Sequence, residues 1–334
     1  MAFSVHAHLR RERRDLSPAL YALTVDRKPK VAIFSPNPMV SIAIESFSAD
    51  GGDDIHIHPA GQGVWVGRMA AELGAEPVLC GFIGGEVGKV LRPLLEEMPL
   101  ELRLVETAEA SGAYIHDRRE GERQPISQSA ALPASRHEVD ELFSVTVAAA
   151  LDCDLLAICG PYPDNTVPLE IYGSLVADVK ANGVRTIVDL SSPRLDSALE
   201  GKPDLVKIND WQIAGFVSDA VNTEERMRAA MEKVREAGAE SVIVTRAGEP
   251  ALALRDGKFV ELTPPKFERG AREGCGDSMM GALAATIAAG REWEDVLRLS
   301  AAAGATNFLR HGLGTGSREV VEELAPRVQL RELD

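Results

Sequence analysis

From residue 30 onward, short apolar runs alternate with longer amphipathic stretches. VAIFS (31–35), PVLCGFIG (77–84), LLAICG (155–160), RTIVDL (185–190), DLVKIN (204–209) and SVIVTR (241–246) are nearly continuous in apolar character, the pattern of strands covered on both faces. Between them, apolar positions recur at helical spacing, clearest in Val167, Ile171, Leu175, Val176 and Val179, and in Met227, Ala230, Met231 and Val234. Strand alternating with helix predicts an α/β fold with a mainly parallel sheet between two helical layers. Two segments break the rhythm, 39–58 and 111–128, the latter with DRREGER at its centre. Each reads as extended chain around a polar turn, so the pair is expected to form a small β lid over one end of the main sheet. ALALRDGKFVEL reads as a hairpin turned at Asp256 and Gly257. A glycine-rich stretch follows it, then two helices of small residues, 276–290 and about 293–309.

This organisation suggests one domain, 30–334, behind an N-terminal extension, 1–29, whose RRERRD run reads as a solvated face. With 45% hydrophobic residues in 334, the chain can bury a large core. A formal net charge of −15 argues against a nucleic-acid-binding face, which needs clustered Lys and Arg. Any anionic ligand must therefore be held by local groups. Cys80, Cys153, Cys159 and Cys275 show no CxxC pair or zinc spacing and read as buried free thiols of a reducing compartment. No secretory h-region follows the N-terminal arginines and no apolar run approaches membrane-spanning length, so no membrane partner and a cytoplasmic location are expected.

The strongest chemical signal is Gly274-Cys275-Gly276-Asp277-Ser278 at the start of a helix. Two glycines let backbone N–H groups converge on one point, and the helix N-terminus adds partial positive charge, a combination that holds a phosphate or a developing anion. A carboxylate beside such a nest would repel phosphate, so its task is proton removal from an attacking hydroxyl, as phosphoryl transfer requires. Helix capping by Asp277 with a tight glycine turn is the alternative. Gly61-Gln62-Gly63 and Gly84-Gly85-Glu86-Val87-Gly88 are further glycine clusters, neither a P-loop nor a dinucleotide fingerprint. A dinucleotide-binding oxidoreductase is disfavoured for the same reason. His56-x-His58 puts two imidazoles on one face of a strand, without a recognisable third metal ligand.

In combination, SPNPM (35–39), AGQGVWVGRMAAELGAEPVLCGFIGGEVG (60–88), CGPYPDN (159–165), VRTIVDLS (184–191), KIND (207–210), VIVTRAG (242–248), EGCGDSMMGAL (273–283) and ATNFLRHGLGTGSREVVEEL (305–324) carry a resemblance. The chain resembles the PfkB family of ribokinase-like carbohydrate kinases, nearest to its 1-phosphofructokinase and tagatose-6-phosphate kinase branch. The resemblance implies a three-layer α/β/α domain with a lid, ATP along the C-terminal edge of the sheet, and Mg²⁺ beside its phosphates. It implies Asp277 as base and Gly274, Cys275 and Gly276 as anion hole. Asn209, Thr245, Gly248 and Asn307 fall on the nucleotide side; Asn37, Ser41, Gly61, Gln62, Gly63 and Trp65 fall on the acceptor side. A homodimer through the lid is a further implication.

The departures cluster at the acceptor. Ser41 stands where the branch has Asp, Gln62 where it has Lys, and Trp65 where it has Asn. Either the acceptor lacks a phosphate and offers a flat surface to Trp65, as a nucleoside would, or arginines of 111–128 replace the missing Lys. Gln212 replaces the Glu that helps order Mg²⁺, which leaves open a non-catalytic nucleotide- or sugar-binding homologue. Arg272 and Glu273 immediately precede the anion hole.

Overall fold

The computed structural model describes residues 27–46, 52–121, 123–129, 132–160, 166–246, 248–268, 270, 272–310 and 314–334. Most of the expected extension, residues 1–26, lies outside them, as do 161–165 of the CGPYPDN motif.

Among the described residues, fourteen strands form two sheets. The large one is built from β1 (Lys30–Phe34), β4 (Glu76–Gly84), β5 (Glu101–Thr107), β8 (Leu155–Cys159), β9 (Arg185–Asp189), β10 (Leu205–Asn209), β11 (Ser241–Arg246), β12 (Glu249–Arg255), β13 (Lys258–Thr263) and β14 (Gln329–Leu333). Its order is β14-β13-β12-β11-β10-β9-β8-β1-β4-β5. Strands from β5 to β11 pair in parallel, and β12 to β14 close one edge antiparallel. The small sheet, ordered β3-β2-β6-β7, comprises β2 (Met39–Ser46), β3 (Asp53–Ala60), β6 (Gly112–Asp117) and β7 (Gln124–Gln128).

Side-chain alternation divides each parallel strand between two cores, as a sheet covered on both faces requires. Ala32 and Phe34 of β1 face one core, while Val31 and Ile33 face the other. The first core receives α3 (Arg136–Leu151), α4 (Glu170–Ala181), α5 (Arg194–Glu200), α6 (Asp210–Val217) and α7 (Glu224–Glu236). The second receives α1 (Gln62–Glu72), α2 (Gly85–Glu96), α8 (Cys275–Ala288), α9 (Trp293–Phe308) and α10 (Arg318–Leu324). The small residues of α8 have a packing role: a Cβ at Gly281 would lie 2.5 Å from the Val66 carbonyl oxygen of α1. This close approach seats the N-termini of α1 and α8 side by side above the C-terminal ends of β1, β8 and β9.

Strand positions match the apolar runs, and the hairpin turns at Asp256 (φ 53°) and Gly257 (φ 74°) as its sequence requires. Three cysteines, Cys80, Cys153 and Cys159, are buried, whereas Cys275 is only partly covered at the start of α8. Among the described residues, no helix is long and apolar enough to cross a membrane.

Candidate active site

The two glycine-led helix starts make the site. Gly61 precedes α1 with φ 113° and ψ 149°, a region only glycine enters freely, and a Cβ there would press within 3.2 Å of the Asn37 carbonyl oxygen. Gly274 precedes α8 at φ 78°, in the left-handed region, so the chain turns sharply into the helix and brings Asp277 of its first turn to the cavity. Neither glycine-led start carries a side-chain cap, and the Cys275 N–H donates to the Arg272 carbonyl at 3.3 Å.

A cavity of about 600 Å³ lies over this junction and is lined by Asn37, Gly61, Gln62, Trp65, Asp189 and Asp277, among others. Asp277, in the first turn of α8, opens toward the cavity, but protein surrounds most of its carboxyl group. Burial pushes its pKa up to about 7, with Asp189 adding to the rise; Lys207 and a hydrogen bond from the Gln62 amide oppose it. The same Gln62 accepts from the Gly160 N–H through Oε1 at 2.9 Å, which fixes the amide so that its NH₂ turns to Asp277. Gln62, expected on the acceptor side, is thus also bonded to the candidate base.

Beneath this turn lies a buried ion pair to which the sequence assigned no role. Lys207 Nζ of β10 sits 2.6 Å from Asp189 Oδ2 of β9, with side chains only 5% and 2% exposed. Burial opposes the charge on Lys207, yet Asp189 and Asp277 more than offset that effect and raise its pKa. A Cβ at Gly276 would meet this ammonium at 2.8 Å, so Gly276 is the opening that lets the cation approach the nest. Its signal in the sequence was a lysine at the centre of the apolar strand DLVKIN, a position that demands a buried partner. Cys275 contributes backbone here; burial pushes its thiol up, keeping Sγ protonated at neutral pH.

The residues expected on the nucleotide side stand apart from this cavity's lining. Asn209 caps α6, its Oδ1 accepting from Gln212 N–H at 2.9 Å while Gln212 Oε1 accepts from Asn209 N–H at 2.8 Å. This capping box occupies the amide that replaces the expected Glu. Thr245 neighbours Asn209 across β10 and β11, and Gly248 (φ 88°) lies under Arg272. Asn307 is fully buried and spends its amide internally, donating to the Glu273 carbonyl at 2.8 Å and accepting from Thr315 N–H at 3.1 Å. Gly63 packs on Ser35, within 2.3 Å of a would-be Cβ, so it serves close helix–strand approach. Ser41, together with Trp65 and Tyr114, lines a second chamber of about 1060 Å³ under the small sheet. Trp65 and Tyr114 border both cavities. His56 and His58 stack with ring centroids 5.9 Å apart, and no group of three or more metal-ligating side chains exists among the described residues.

A carboxylate poised near neutrality, a glycine-led helix start and a buried cation thus meet at the C-terminal edge of the parallel sheet. The profile of the pfkB family of carbohydrate kinases matches residues 42–319, and the chain belongs to that family. It is a kinase enzyme, and the family takes its phosphoryl group from ATP. The 1-phosphofructokinase of Bacillus subtilis is 26% identical over 276 residues, covering 83% of this chain and 89% of that protein. The D-tagatose-1-phosphate kinase of Bacillus licheniformis is 27% identical over 282 residues, with 84% and 90% covered. Among solved structures, phosphofructokinase-2 from Escherichia coli superposes with a TM-score of 0.78 at 24% identity, over 90% of this chain and 98% of that one.

Proposed function

We propose that this protein transfers the γ-phosphoryl group of ATP to a hydroxyl of a sugar-derived acceptor, with Asp277 as general base. The observation that carries the reading is the position of Asp277: on the cavity wall in the first turn after Gly274, in the field of Lys207, with a pKa pushed up to about 7. A base of that pKa is half deprotonated at neutral pH and still basic enough to take a hydroxyl proton. The N–H groups of the nest and the Lys207 ammonium supply positive potential where the transferring group becomes most anionic. Gln62 acts through Asp277: its amide holds the carboxylate in one orientation and favours the charged form.

ATP is expected along the C-terminal edge of β10 and β11. Asp189 and Asp277 are the carboxylates of this cavity, Asp189 is engaged by Lys207, and Gln212 is tied to Asn209. This set fits a Mg²⁺ ion carried largely by phosphate oxygens, with few protein ligands, the usual habit of that ion. When bound, it would neutralise charge on the phosphates. The small sheet is read as a lid over the acceptor. Ile55 and Ile57 of its edge strand β3, 62% and 47% exposed on the face opposite His56 and His58, are suited to covering by a second copy. Light scattering behind size exclusion tests that homodimer.

Mg-ATP-dependent ADP release against free sugars, sugar phosphates and nucleosides, with Asp277→Asn beside the parent, tests the reaction. A hit that vanishes in the variant supports the proposal. Turnover that survives the substitution, or ATP binding with no acceptor turned over, overturns it in favour of another base or a non-catalytic binder.

A further inference from the structure

The second chamber concentrates positive charge in an acidic protein. Arg68 of α1, Arg118 and Arg123 between β6 and β7, Arg272 before α8 and Arg310 after α9 line it, with two carboxylates, Glu45 and Glu273, among the described residues. Among the described lining residues, five guanidiniums against two carboxylates leave an excess of three positive charges, while the whole chain carries −15. Arg118 pairs with Glu45 at 3.4 Å; no ion pair is made by Arg68, Arg123, Arg272 or Arg310 among the described residues.

His116 gives an independent sign. Arg123 Nη2 hydrogen-bonds His116 Nε2, and a guanidinium only donates, so that ring nitrogen accepts and the imidazole is neutral with its proton on Nδ1. That Nδ1 is buried and has no hydrogen-bond partner among the described residues. Burial first, then Arg123 and Arg118, push His116 down to about 4. Gathering like charges around an unsatisfied donor is costly unless an anion completes the arrangement, and the planar fork of Arg is suited to phosphate oxygens.

We propose that this chamber is a polyanion site, built for a ligand carrying two phosphates or groups of equal charge. One phosphate dianion would leave part of the excess unbalanced; a diphosphate or bisphosphate matches it. Trp65 and Tyr114 border both this chamber and the cavity of Asp277, so the source assigned to the anion is the far end of the acceptor itself. That assignment rests on the kinase reading. The binding site does not.

The test uses the full-length chain without ATP, with inorganic pyrophosphate as probe and inorganic phosphate as reference. Saturating pyrophosphate is expected to raise the His116 pKa, followed by NMR, by more than one unit. Calorimetry should show tighter binding than for inorganic phosphate, weakened at least 10-fold in Arg68→Gln/Arg310→Gln and unchanged in Asp277→Asn. An unmoved His116, or binding that survives the double arginine variant, overturns the site. In turnover, the double variant should raise acceptor KM at least 10-fold with kcat within about twofold. An unchanged KM beside lost pyrophosphate binding would overturn the acceptor assignment and point to a separate regulatory anion. Pyrophosphate binding in a chain that turns over no acceptor would refute the proposed reaction and support the site.

Discussion

The two cavities that meet at Trp65 and Tyr114 treat charge in opposite ways. Around Asp277 the carboxylates are matched within the protein: Asp189 with Lys207, Asp277 with the Lys207 field and the Gln62 amide. Under the small sheet, most of the guanidiniums make no ion pair among the described residues. The difference follows from burial. Lys207 and Asp189 are almost wholly removed from water, where an unpaired ion is intolerable, so the fold must satisfy them before any ligand arrives. Arg68, Arg272 and Arg310 keep access to water and can wait for a ligand. One cavity is preorganised and the other is poised.

The largest expected effect breaks the catalytic side alone. Asp277→Asn should lower kcat by about 10²–10⁴ while ATP binding, measured by calorimetry, persists. The same substitution should stabilise the fold at alkaline pH. Asp277 has a folded pKa of about 7 against 3.8 in the unfolded chain, so its contribution favours folding at low pH and is lost as pH rises between those values. The difference in Tm between the Asp277→Asn variant and the parent should therefore be small at pH 4 and grow to several degrees by pH 8.

Lys207→Met leaves Asp189 buried without its counter-ion and should cost about 3–5 kcal/mol in urea denaturation, besides most of the activity. The double variant Lys207→Met/Asp189→Asn should recover much of the stability but not the turnover. If both returned together, the ammonium would have no role beyond pairing.

The pH profile separates the two regions more finely. Because the base must be deprotonated, kcat/KM should rise with pH through an apparent pKa near 7 and flatten above it. Gln62→Lys puts a cation where an amide now touches the carboxylate, so the inflection should move down by about 1–3 units. A profile that stays in place would remove Gln62 from the positioning of Asp277.

Salt gives the smallest contrast. Raising ionic strength from about 0.05 to 0.5 M shortens the screening length from more than 10 Å to a few ångströms. Acceptor KM should increase several-fold as the chamber is screened, with Tm nearly constant because the buried pair is not. Equal responses of KM and Tm would erase the distinction between the two cavities.

Much of this architecture was legible in the residues. Six apolar runs marked the central strands because a strand covered on both faces must be apolar at every position. The turn at Asp256 and Gly257, the two interrupting segments and the Gly-x-Gly-Asp helix start were equally local, since φ preference and apolar period are properties of a few neighbouring residues. Strands β5 and β14 have no such local signal: ELRLVET and QLREL are edge strands whose charged alternation resembles surface chain until a neighbour pairs with them. The site followed the same division. Asp277 and its glycines were visible as one contiguous motif.

Only tertiary structure could bring Lys207 of β10 against Asp189 of β9 and lay both beneath Gly276. It alone revealed that Asn209, Gln212 and Asn307 spend their amides inside the protein, and gathered five arginines from distant segments into one chamber. Local sequence determines backbone preference and which side chains seek the core. Which charges meet there depends on sheet order and helix packing, and those arise from contacts between residues far apart in the chain.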